Sequence, residues 1–163
     1  MLKLLLLLPT VLSALADDSR EMFRLVNEAR GTARYCGATY HWPTKELAWD
    51  DRLHRAATGH AQDMMNRNYF GHQSPPPGST SPCDRSLAAG WSRPACAENL
   101  AAGHATAKKA VEGLLGSPGH CLNIMDPTLA KLGVGVATGG RYRIYWVQHF
   151  GPPEGIFNAS FRP

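Results

Sequence analysis

Hydrophobic residues change their spacing once along this chain, and that change limits the fold class more than any other feature. In the first half they recur every three or four residues, most clearly over residues 51–67, which predicts amphipathic helices. After residue 131 they alternate with small or polar residues on both sides of Gly139-Gly140, a dipeptide typical of a two-residue hairpin turn. Helices followed by a late hairpin predict an α+β domain in which helices cover a small antiparallel sheet.

Capping residues and turn formers divide the rest of the chain. Besides 51–67, these signals predict helices over 21–34, 84–89, 107–115 and 118–125, and a short strand over 98–101. Segments 35–45 and 73–82 contain the prolines and glycines expected of irregular loops. No internal repeat or linker indicates a second domain.

Residues 1–16 have the pattern of a secretory signal peptide. Lys3 precedes an apolar stretch that ends in Ala14-Leu15-Ala16, a small-x-small cleavage pattern. The stretch is shorter than the roughly 20 apolar residues that a membrane span needs, and no later segment qualifies. We therefore expect a mature single domain over 17–163, secreted to an extracellular or periplasmic space, with a monomer as the working expectation.

Charge argues against nucleic acid as a partner. The formal net charge is +4, and the basic residues are scattered, whereas nucleic-acid binding needs a basic stripe or patch. We expect instead an extracellular or cell-envelope ligand, whose identity the sequence does not specify.

Four cysteines in an exported chain predict two disulfides, with three connectivities open. Cys83 and Cys96 are close in sequence and flank a loop, which favours their pairing and leaves Cys36 for Cys121. The second bond would join the end of the first helical region to the segment that carries His120.

Three side chains in short, turn-rich segments are the candidate functional residues. His72 and His120 are imidazoles and Glu98 is a carboxylate, a set that can bind a divalent metal or transfer protons. The same three residues are the candidates for catalysis. His60 lies on the apolar stripe of the 51–67 helix, which favours a core histidine bonded to a backbone group. From that position we expect His60 to support the site.

Ten short motifs occur in one order along residues 20–151 and together resemble the CAP superfamily: cysteine-rich secretory proteins, antigen 5 and plant pathogenesis-related proteins of class one. The similarity is closest to the short secreted bacterial members. The motifs are Asp51-x-Leu53, Ala56-Ala57-x-x-His60-Ala61-x-Asp63-Met64, Phe70-x-His72-x-Ser74, Asp84-Arg85, Ala89-Gly90-Trp91, Glu98-Asn99-Leu100-Ala101, Ser117-Pro118-Gly119-His120, Asn123-Ile124-Met125, Gly133-Val134-Gly135 and Tyr145-Trp146-Val147-Gln148.

The resemblance implies a three-layer α-β-α sandwich with a central cavity lined by two histidines and two acidic residues. His72, Glu98 and His120 match three of these positions, and the second acidic position falls on Ser117. Ser117 precedes Pro118, so we expect it to cap the short helix while it lines the site. We expect His149 to be an exposed histidine outside this site.

The missing acid favours a binding module over an enzyme. The first hypothesis is a secreted protein that holds zinc or another divalent cation through His72, His120 and Glu98. The alternatives are a metal-dependent hydrolase of a peptide or cell-envelope polymer, with Glu98 as general base, and a carrier of a lipid or sterol.

Overall fold

The computed structural model describes residues 8–92 and 95–154, with side chains from residue 14 onward. In chain order the elements are α1 (Leu8–Arg30), β1 (Arg34–Cys36), β2 (Thr39–His41), β3 (Ala48–Trp49), α2 (Asp51–Arg67), α3 (Pro82–Ala88), β4 (Ala97–Ala102), α4 (Ala107–Leu115), α5 (Pro118–Met125), β5 (Lys131–Gly139) and β6 (Arg143–Gly151).

The main sheet has four strands in the order β3-β5-β6-β4. β5 pairs antiparallel with β6, β6 pairs antiparallel with β4, and only the two-residue β3 runs parallel to its neighbour β5. β1 and β2 form a separate two-stranded antiparallel sheet. The predicted α+β class is confirmed.

Helices cover both faces of the main sheet, which gives the expected three layers. On one face Val134 and Val136 of β5 pack with Met22 of α1, Val111 of α4 and Ile124 of α5. On the other face α2 packs on β5 and β6, and this cluster is formed by Ala57, Ala61, Met64, Leu100, Ala137, Tyr145 and Val147. Alternate residues of each strand therefore face opposite helical layers.

Two glycines allow α2 to lie directly on β5. A Cβ atom at Gly133 would stand 2.0 Å from the backbone nitrogen of His54, and one at Gly135 would stand 2.2 Å from backbone atoms of Ala57 and Thr58. Any side chain at either position would separate the helix from the sheet.

Several boundary predictions were wrong. α1 already includes Leu8, whereas the predicted helix began at residue 21, and α3 spans Pro82–Ala88, whereas the prediction was 84–89. α1 ends at Arg30 and not at residue 34, because Gly31 follows it and Arg34 pairs in β1. Segment 35–45 is not an irregular loop throughout, since Gly37 at φ +61° allows the tight β1–β2 turn. The late hairpin has a three-residue connection, because Gly139 itself pairs with Arg143.

Both predicted disulfides are present, Cys36–Cys121 between β1 and α5, and Cys83–Cys96 between α3 and the start of β4. The predicted signal peptide spans residues 1–7, which lie outside the described residues, and the first nine residues of α1. Over residues 8–92 and 95–154, no helix combines the length and apolarity needed to cross a bilayer.

Candidate functional site

Glu98 on β4 is the centre of the candidate site. Its side chain is fully buried, and its two oxygens have different partners. Oε1 lies 2.9 Å from Nδ1 of His72, and Oε2 accepts a hydrogen bond from the Arg85 guanidinium at 2.8 Å. A buried carboxylate needs such partners, because removing a charge from water without compensation is costly.

The contact with His72 determines how that imidazole carries its proton. A carboxylate can only accept, so the Nδ1–H of His72 donates to Glu98 and Nε2 of the neutral ring keeps a lone pair. The side chain of His72 is 54% exposed, so this nitrogen belongs to a ring that solvent and ligands can reach. A carboxylate bonded to the far nitrogen of a histidine is the usual support of a metal-binding imidazole.

Arg85 on α3 holds both partners of this pair. The guanidinium donates to Oε2 of Glu98 and also to the backbone carbonyl of His72 at 2.9 Å. Its second terminal nitrogen donates to the carbonyl of Thr80. Arg85 therefore fixes the carboxylate, the histidine segment and the end of the 73–82 loop together.

Asn99, the next residue of β4, faces the opposite side of the sheet and holds the second histidine segment. Its side-chain amide donates to the backbone carbonyl of His120 at 3.0 Å and to Oε1 of Gln148 at 3.0 Å. Asn123 of α5 donates in turn to the Asn99 side-chain oxygen. Two consecutive residues, Glu98 and Asn99, thus position the segments of both predicted histidines.

His120 lies in the first turn of α5 and is partly buried. Burial lowers the pKa of its imidazole, and the nearby His72 ring lowers it further because two positive charges would repel. Both effects favour the neutral ring, which is the form that binds a metal ion.

His60 is a buried histidine bonded to a backbone group, and its role in supporting the site stays a prediction. It is buried on α2, and its Nε2 donates to the backbone carbonyl of Gly71 at 2.9 Å and lies 3.8 Å from Oε1 of Glu98. Burial lowers the pKa of His60 to about 4, against a smaller opposing effect of Glu98. His60 is therefore a neutral core histidine at physiological pH.

Ser117 stands at the N-cap position of α5, as predicted, but its side chain forms no capping hydrogen bond. It is partly buried. Its role in the lining of the site stays a prediction.

The expectation that His149 is exposed was wrong. It is fully buried on β6 opposite Glu98, its Nε2 donates to the carbonyl of Ala95 at 2.7 Å, and its Nδ1 lies 3.9 Å from Oε2 of Glu98. Alternation along β6 groups His149 with Tyr145 and Val147, and this face is the one that α2 covers.

Electrostatics keep Glu98 ionised despite its depth. Burial alone would raise the pKa of the carboxyl, but the hydrogen bond from His72 and the charge of Arg85 outweigh it and hold the pKa below its ordinary value. A carboxylate with a low pKa and two occupied oxygens is a weak base and a good anchor for an imidazole.

The three predicted ligands do not share one metal site, because both oxygens of Glu98 are already engaged. Within the described residues, no three His, Cys, Asp or Glu side chains are arranged to hold a metal ion together. Glu98 is bonded through both oxygens to His72 and Arg85, which places it behind the imidazole.

One protein-family model matches most of the chain. Residues 23–150 match the family model described as "CAP: Cysteine-rich secretory protein family". The protein YkwD of Bacillus subtilis (strain 168) is 38% identical over 106 residues, which cover 65% of this chain and 39% of YkwD. The chain therefore spans about two fifths of that relative.

Solved structures support the same relationship. An extracellular protein with an SCP domain from Bacillus anthracis str. Ames aligns with a TM-score of 0.69 and 29% identity, covering 85% of this chain and 41% of that chain. An outer surface protein from Borrelia burgdorferi aligns with a TM-score of 0.70 and 20% identity, covering 85% of this chain and 94% of that chain. The second similarity is one of fold alone.

Proposed function

This chain belongs to the CAP family of cysteine-rich secretory proteins, and on that premise we propose that it is an exported binding module that holds a divalent cation through His72 and His120. Export is supported by the predicted signal peptide over 1–16, by the two disulfides and by the extracellular description of the Bacillus anthracis relative. Zinc is the cation that two neutral imidazoles favour among common biological ions, with water completing its coordination.

The single observation that carries the proposal is the hydrogen bond between His72 and Glu98. At 2.9 Å it fixes the proton of the imidazole on Nδ1, so Nε2 is presented as a lone-pair donor on a half-exposed ring. Arg85 prevents the carboxylate from turning toward the cation itself. Glu98 is therefore assigned the role of orienting His72 from behind.

A cation held by only two protein ligands keeps open positions. Water or an oxygen atom of an extracellular or cell-envelope ligand can occupy them, which is how such a site would bind a partner. We therefore assign the cation the role of a bridge between this domain and its ligand.

The observation against the hydrolase alternative is the environment of Glu98. A general base must be free to take a proton and works best with a pKa near the operating pH. Glu98 has both oxygens occupied and its pKa is held below the ordinary value. Binding is therefore the function that this geometry supports best.

Calorimetric titration of the mature, oxidised protein with zinc chloride tests the proposal. We expect one zinc ion per chain, at least about tenfold weaker binding for His72→Ala and for His120→Ala, and no change for the control His104→Ala. His104 packs against Gly113, which makes its substitution a matched loss of one imidazole elsewhere.

Glu98→Gln separates orientation from ligation, because the amide keeps the shape of the side chain and loses its charge. An orienting role predicts a loss of about 10–100-fold with the stoichiometry unchanged. Equal zinc binding by wild type and the His72→Ala, His120→Ala double variant would overturn the proposal, provided that circular dichroism shows both proteins folded.

A further inference from the structure

A second cleft lies between α2, the 74–80 loop and α3, and it contains neither His72, Glu98 nor His120. Its volume is about 510 Å³, which is the size of a small-molecule site. Its polar lining residues come from all three segments: Arg55, His60, Asp63, Arg67, Ser74, Thr80 and Arg85.

Positive charge prevails in this cleft. Three guanidinium groups line it, and Asp63 is the only carboxylate among its lining residues. Asp63 is already engaged, since it accepts a hydrogen bond from the Tyr69 hydroxyl and lies 3.5 Å from a terminal nitrogen of Arg67. His60 is neutral because burial lowers its pKa to about 4.

Of the three arginines, Arg55 has the most hydrogen-bond donors without a partner in the described residues. It is exposed, and its charge is matched by no ion pair among the residues that the structure describes. One terminal nitrogen donates to the backbone carbonyl of Ala89 at 3.2 Å, which tethers the side chain over the end of α3. The other donors of its planar fork remain for a ligand.

Arg85 places a second guanidinium group in the wall of the cleft. The residue is about nine-tenths buried, and its terminal nitrogens are bonded to Glu98, His72 and Thr80. Its Nε is buried and has no hydrogen-bond partner in the structure. Because solvent cannot reach this atom, Arg85 contributes to the wall of the cleft through its positive charge.

The walls of the cleft are held in place before any ligand arrives. Arg67 donates to the backbone carbonyls of Pro75 and Pro76 and so fixes the loop against α2. A reciprocal capping box between Ser81 and Asp84 fixes the start of α3. A ligand therefore loses little affinity to ordering of the site.

We propose that this cleft is an oxyanion-binding site that takes the carboxylate or phosphate group of a small solute, with the exposed Arg55 as its donor and the guanidinium groups of Arg67 and Arg85 in its walls. Guanidinium groups bind both oxyanions through paired N–H donors. The site is distinct from the two-histidine site, and Arg85 contacts both because it also holds Glu98.

The test uses two probes, sodium phosphate and trisodium citrate, titrated calorimetrically into metal-free mature protein at low ionic strength. We expect saturable binding of at least one probe, about tenfold weaker in Arg55→Gln. The matched control is Arg141→Gln, which removes an exposed arginine that packs over Tyr142. It should bind like the wild type, and so should His72→Ala.

The preferred probe identifies the ligand chemistry, since binding of phosphate alone points to a phosphorylated solute and binding of citrate alone to a carboxylate. The ¹H–¹⁵N resonance of Arg55 Nε should shift with the same saturation curve. No saturable binding of either probe up to about 100 mM, or equal binding by Arg55→Gln, would overturn the proposal. Loss of binding in His72→Ala would assign the anion to the histidine site and overturn it as well.

Discussion

His72 and Glu98 form a carboxylate–imidazole pair in which Nδ1 of the ring lies 2.9 Å from Oε1 of the carboxylate. We therefore expect the neutral ring of His72 to be the Nδ1–H tautomer. His149 provides an internal comparison, because its Nε2 donates to the Ala95 carbonyl and requires the opposite tautomer. Long-range ¹H–¹⁵N correlation spectra at neutral pH distinguish the two, and an Nε2–H tautomer for His72 would contradict the assigned orientation.

Replacing only one partner of the ion pair between Arg85 and Glu98 should destabilise the fold. In Arg85→Met the carboxylate stays buried without its guanidinium partner, and we expect a loss of about 3–5 kcal/mol in the free energy of unfolding. Lys109→Met is the control, because it breaks the exposed pair with Glu112 and should change the stability little. Urea unfolding measures both. An equal effect of the two substitutions would contradict a buried, compensated pair.

Stability should fall as the pH drops from about 6.5 toward 4. Burial lowers the pKa of His60 from 6.5 to about 4, so over this interval the unfolded chain binds a proton that the folded protein does not. One such group contributes a slope of at most about 1.4 kcal/mol per pH unit. Burial lowers the pKa of His120 and His149 in the same direction, and Glu98 adds a loss below its usual pKa of 4.5.

Urea unfolding of His60→Gln across the same pH range isolates this contribution. We expect a shallower slope than in the wild type and a residual slope of the same sign from the other buried histidines. An unchanged slope would show that His60 is not the proton acceptor on unfolding.

The sequence predicted α2 well because three local signals agree there. Asp50 caps its first turn, the apolar stripe has helical spacing, and Asn68 ends it in a left-handed conformation. The predictions failed where contacts between residues distant in sequence determine which side chains are buried. Alternation placed His149 on one face of β6, but only the packing of α2 buries that face.

The candidate site was predicted only in part, because some of its contacts also join residues distant in sequence. The resemblance to known motifs identified His72, Glu98 and His120, and the structure joins the first two directly. The role of Arg85 was missed, because an arginine after Asp84 in a short helix has the pattern of a solvated surface residue. Its burial depends on Glu98, which is thirteen residues away in sequence and on another element.

The Cys36–Cys121 disulfide should stabilise the fold more than Cys83–Cys96. The bonds join residues 85 and 13 positions apart, and loop-closure entropy predicts about 4–5 kcal/mol for the longer loop and about 3 kcal/mol for the shorter. Paired Cys→Ala variants compared by urea unfolding test the order. The longer bond also ties α5 to β1, so we expect its removal to weaken zinc binding at His120 as well. The reverse order of stabilities would contradict this prediction.

Gly135 should tolerate no side chain. A Cβ there would stand 2.2 Å from backbone atoms of Ala57 and Thr58, and α2 cannot yield locally because its whole apolar stripe rests on the sheet. For Gly135→Ala we expect at least about 3 kcal/mol of lost stability or failure to fold. Gly59→Ala is the control: this glycine lies within α2 with no atom within 4 Å of the added methyl group, so alanine should raise the unfolding free energy by about 0.5–1 kcal/mol. Thermal and urea unfolding measure both variants, and a Gly135→Ala protein as stable as the wild type would show that α2 does not lie directly on β5.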